Sequence, residues 1–121
     1  MTAALWLAAL LAVAVGVAHS YLGERYIISR LLRRDLPKLF GSDTFTKQTV
    51  RFAWHLTTVA WWGFAAILVL MATNALATES VALVLALTFF ASAGLTAGYT
   101  RGRHLAWIVF LIIAIIATMV F

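Results

Sequence analysis

The chain has 121 residues, 64% of them hydrophobic and only 11% charged, with a formal net charge of +5 and no cysteine. An ordinary soluble domain carries roughly 45–50% apolar and 25% charged residues, so this composition excludes a surface that faces water throughout. The missing thiols exclude a disulfide framework, thiolate metal ligation and a cysteine nucleophile.

A hydrocarbon core of roughly 30 Å needs about 20 apolar residues in a helix, with a working minimum near 17. Four stretches meet that length: 3–22, 52–72, 81–99 and 105–121. Helices are expected because unpaired backbone groups find no partner in lipid, and the alternation of a barrel strand is absent. The expected fold is therefore all-α, a single four-helix transmembrane bundle over residues 1–121, with an amphipathic helical connection at 24–41.

The first span, Ala3 to Leu22, opens without the basic segment of a secretory signal and is expected to stay in the membrane. Ala8, Ala12 and Gly16 recur at four-residue spacing and continue towards Gly23, a row small enough for close helix packing. In the connection that follows, Ile27, Ile28, Leu31, Leu32, Leu36, Leu39 and Phe40 alternate with Arg30, Arg33, Arg34 and Lys38 at helical spacing. Pro37 and Gly41 should end that helix, and Ser42, Asp43 and Thr44 offer caps for the next.

On the second span, Arg51, His55, Thr58 and Trp62 follow steps of four, three and four residues and share a face. Trp54, Trp61 and Trp62 are too spread in depth for an interfacial belt, so some should be core. The third span carries a stripe of Thr88, Ser92, Thr96 and Tyr99, and offers Ala91, Gly94 and Gly98 for packing. The short connection at Gly102 makes the third and fourth helices antiparallel neighbours. The fourth, apolar all round, should face lipid or another subunit.

Charge fixes an expected orientation. Arg25, Arg30, Arg33, Arg34, Lys38, Lys47 and Arg51 lie between the first two spans, and Arg101 and Arg103 between the last two. The remaining connection carries Glu79 alone. The positive-inside rule then places the basic side in the cytoplasm and both termini in the periplasm, in a bacterial inner membrane. Basic residues there touch anionic headgroups at about 1 kcal/mol each, and topology accounts for the charge without nucleic acid.

Ionisable residues at membrane depth are functional candidates. At 1.5 Å per residue, His19 lies roughly 8 Å inside Glu24 and His55 roughly 6 Å inside Arg51, while His104 follows Arg103. These positions share the basic end. Three histidines and Glu24 would suit zinc, copper or iron, and His19 with His55 would suit the two axial positions of haem b, walled by Trp54, Trp61 and Tyr99. Arg51, Thr58, Thr96 and Tyr99 complete the expected polar zone. Glu24 sits about 140° around a regular helix from His19, off its face unless Gly23 distorts the winding, whereas Ser20 and Glu24 share a face.

Two other readings stand beside metal or haem binding. One is an accessory or assembly subunit of a larger membrane complex; the other is a small transporter that works as a homo-oligomer. The plain alternative is that each histidine bonds to a neighbouring carbonyl or hydroxyl. No nucleophile, base and orienting acid stand in a recognisable arrangement, so catalysis would have to be that of a metal- or haem-dependent membrane oxidoreductase.

Overall fold

A computed structural model describes residues 1–121. Helix takes 79% of the chain and there is no strand. We number the helices α1 (Thr2–Leu31), α2 (Thr44–Ala72), α3 (Thr78–Thr100) and α4 (Ala106–Thr118). The first three are long and apolar enough to cross a membrane. At 13 residues α4 extends only about 20 Å, short of the 17 residues expected for it. The turn before it uses Gly102 to Leu105, with the Trp107 indole donating to the Gly102 carbonyl at 3.1 Å. After it the chain tightens into shorter-range bonds, Met119 N–H to the Ile116 carbonyl and Phe121 N–H to the Thr118 carbonyl.

Each helix packs on its neighbour in the chain: α1 on α2, α2 on α3 and α3 on α4. No comparable contact joins α1 to α4, so the helices form an open row. Only 16 residues are buried, and most are Ala, Gly, Ser or Thr, so backbones approach closely while the large apolar side chains point outward. Gly94 and Gly98, expected to pack between helices, do not: a Cβ at either would meet nothing within 4 Å.

The helical part of the first connection covers less than 24–41, because α1 ends at Leu31. Pro37 disfavours helical winding at Leu36, whose N–H instead donates to Asp43 Oδ2 at 3.2 Å. Phe40 and Gly41 both have positive φ, 57° and 89°, in a tight turn closed by Leu39 N–H to the Ser42 carbonyl at 2.9 Å. Asp43, expected as a helix cap, makes no capping bond to α2; its carboxylate is taken by Leu36 and by Lys47, at 2.8 Å. Hydrogen bonds from Lys47 and then from Leu36 hold the Asp43 carboxyl below its usual value of 3.8.

Candidate proton-bearing site

The α1–α2 contact is polar along its length at the basic end. Gly23 begins a π-helical segment, Gly23–Ile28, in which the Ser29 N–H reaches back five residues to the Glu24 carbonyl. Trp54 of α2 packs where this segment begins, and the His19 carbonyl that it reaches also accepts from the Gly23 N–H. The Trp54 indole N–H donates to that carbonyl at 3.0 Å. The ring lies so close to Gly23 that a Cβ there would sit 2.0 Å from Trp54 Nε1. Only glycine permits this approach.

His19 belongs to the same clamp. Its imidazole stacks on Trp54 with ring centres 4.5 Å apart and planes 4° from parallel, and Nε2–H donates to the Trp54 carbonyl at 3.1 Å. Trp61 closes the edge of the ring at 5.0 Å. The ring nitrogen facing α2 is thus committed to a carbonyl.

His55 stands differently. Nδ1 is 2.9 Å from Ser20 Oγ, and Nε2 is 2.9 Å from Glu24 Oε2. The other Glu24 oxygen, Oε1, accepts from Arg51 Nη2 at 2.7 Å. Ser20 Oγ lies 2.6 Å from Thr58 Oγ1, which in turn reaches the Gly16 carbonyl at 3.1 Å. The imidazole is nearly buried, at 13% exposure, and Tyr99 stacks on it at 5.9 Å from α3.

All these contacts are satisfied by one order of protons. A carbonyl only accepts, so the Thr58 hydroxyl donates to Gly16. Thr58 then has only acceptor capacity for Ser20, whose single proton points to Thr58. Ser20 in turn accepts from His55 Nδ1–H. The imidazole's Nε2 faces a carboxylate oxygen, so this contact needs one further proton, shared between Nε2 and Oε2. With Arg51 donating to the far oxygen, the Glu24 carboxyl is held between a guanidinium and the imidazole.

Of the expected site residues, Glu24, Arg51, His55 and Thr58 come together, with Tyr99 against the ring. Ser20 was recognised only as sharing a face with Glu24, yet it links His55 to Thr58. His104 lies elsewhere, stacked on Phe45 at 5.6 Å and edge-on to Phe52 at 4.9 Å, its Nδ1 accepting from Ala106 N–H at 3.3 Å. Thr96 is fully buried but bonds back to the Ser92 carbonyl at 2.8 Å, and Ser92 and Thr88, one and two turns earlier, bond back in the same way to the Thr88 and Val84 carbonyls. No three His, Asp or Glu side chains are placed to hold one metal ion, so His19, His55, His104 and Glu24 do not form the single donor set expected of them. No family model, characterised protein or solved structure matches this chain.

Proposed function

We propose that this chain is a four-span, proton-coupled carrier of a bacterial inner membrane, working as a homo-oligomer, with the Glu24–His55 pair as its proton site. The observation that supports it is the proton order: every contact from Gly16 to Arg51 is satisfied only when one extra proton sits between Nε2 and Oε2. Loss of that proton leaves an imidazole lone pair facing a carboxylate lone pair at 2.9 Å. Two acceptors repel, so the latch between α1 and α2 opens. One proton enters at Nε2 and leaves from it, while the Nδ1 proton stays on the ring, donated to Ser20.

Glu24, on the continuous helix Thr2–Leu31, supplies the carboxylate that such a carrier uses. All nine Lys and Arg belong to the end where α1 and α3 finish and α2 and α4 begin, which supports a cytoplasmic placement of that end. The open Gly94–Gly98 face of α3 supports a second copy alongside.

The test is proton movement in liposomes carrying an internal pH-sensitive dye. Wild-type protein should dissipate an imposed pH gradient faster than protein-free vesicles, and His55→Gln and Glu24→Gln should lose that activity. Equal rates in wild type and both variants would overturn the proposal. Elemental analysis of the same samples separates it from metal binding: a stoichiometric metal lost in His55→Gln would replace the proton at this site.

A further inference from the structure

A cavity of about 570 Å³ lies beside the Glu24–His55 pair, bordered by Val17, Tyr21 and Glu24 of α1 and Trp62 of α2. Its wall is almost wholly apolar. Tyr21 and Trp62 are both exposed there, their rings unburied by any other helix. Ser20 and Thr58 border it too, but their hydroxyls are spent on one another, on His55 and on the Gly16 carbonyl. Glu24 is the only acid on its border, and its side chain is 38% exposed, open to a molecule seated beside it.

The protons of the pair dictate what such a molecule should carry. With the shared proton gone, His55 Nε2 and Glu24 Oε2 are two acceptors facing each other, and each needs a donor. Once the latch parts, a primary ammonium can supply both from its own N–H groups. It also brings one positive charge, so the site keeps the charge that the proton gave it. An apolar body attached to that ammonium suits the cavity wall, and aromatic rings favour a cation at their faces. The exchange leaves the other charged and titratable groups around Glu24 in place. Arg51 of α2 holds Oε1 at 2.7 Å and Tyr99 of α3 stacks on His55. Arg25, which borders the cavity from α1, donates to the Tyr21 hydroxyl at 2.7 Å and lies 5.4 Å from the centre of the Tyr26 ring.

We infer that this cavity takes a protonated primary amine with an apolar body, whose ammonium replaces the shared proton between His55 Nε2 and Glu24 Oε2. One proton leaves for each amine bound, which makes the amine the cargo exchanged for protons. Amine exchange of this kind rests on the Glu24–His55 pair being the proton site, and it names the chemical class that competes for that site.

Calorimetry on the full chain in phosphatidylcholine nanodiscs, with empty nanodiscs subtracted, measures binding of phenylbutylammonium and of its trimethylated quaternary form. Two buffers of different ionisation heat count the protons released. Glu24→Gln removes the carboxylate charge, and Val17→Trp fills the cavity. Glu79→Gln, at the opposite end of the helices, is the control.

The expected result is one primary amine bound per chain, with affinity lower by about tenfold or more in Glu24→Gln and Val17→Trp and unchanged in Glu79→Gln. Below the pH at which the pair loses its proton, each amine bound should release one proton, and affinity should fall about tenfold per pH unit. The quaternary form has no N–H and should bind at least about tenfold more weakly. Equal binding of the two forms, or an equal loss in Glu79→Gln, would overturn the inference, since apolar partition or diffuse charge would then account for binding. No amine bound while wild-type liposomes move protons overturns it alone and leaves the proton site standing. Amine bound without release of a proton, with proton movement also absent, overturns both. Thermal unfolding of each variant separates lost binding from lost fold.

Discussion

Replacing Thr58 with Val tests the proton order directly. Thr58 is 4% exposed and its hydroxyl joins two bonds, to Gly16 at 3.1 Å and from Ser20 at 2.6 Å. Interhelical hydrogen bonds in membrane proteins average about 0.6 kcal/mol each, so losing both should cost about 1.2 kcal/mol, roughly eightfold in the unfolding equilibrium. Val matches Thr in shape, so no cavity adds to this. The larger effect falls on His55. Without Thr58 as acceptor, the Ser20 proton is free to turn to Nδ1, and a neutral imidazole then carries its own proton on Nε2 towards Glu24. Nitrogen NMR of labelled histidine in liposomes should show the proton of the neutral His55 ring on Nδ1 in wild type and Thr58→Ser, and on Nε2 in Thr58→Val. Proton transport should fall in Thr58→Val alone. A wild-type imidazole protonated on Nε2 and bare at Nδ1 would refute the proton order, whatever the stability of the variants.

Further outcomes follow from the same contacts. Gly23→Ala forces a Cβ against the Trp54 indole and should cost about 1–3 kcal/mol, whereas Gly98→Ala meets open space and should stay within about 0.5 kcal/mol in monomeric detergent preparations; thermal unfolding compares the two. His19→Phe keeps a ring against Trp54 and loses one hydrogen bond, so stability should drop by about 0.6 kcal/mol with proton transport unchanged. Transport lost in His19→Phe would return His19 to the site. Asp43 has a folded carboxyl value below 3.8, so its stabilising effect is fully present above 3.8 and disappears as pH falls through the lower folded value. Asp43→Asn should remove that acid-side loss, read as a flatter dependence of the unfolding midpoint on pH below 3.8.

The α2 face was legible because helical periodicity fixes which side chains share a direction: Arg51, His55, Thr58 and Trp62 do all reach α1. The same arithmetic set His19 and His55 at one depth, since rise per residue is fixed. Depth says nothing of direction around the axis, and His19 turns to the Trp54 carbonyl where His55 turns to Glu24. The Thr88, Ser92 and Thr96 hydroxyls bond their own preceding turn, a choice that their spacing along the helix does not reveal. The end of α1 was hidden by its own regularity: the apolar spacing from Ile27 to Phe40 continues past Leu31, but Pro37 and the Asp43 bond to Leu36 take the backbone away from helix.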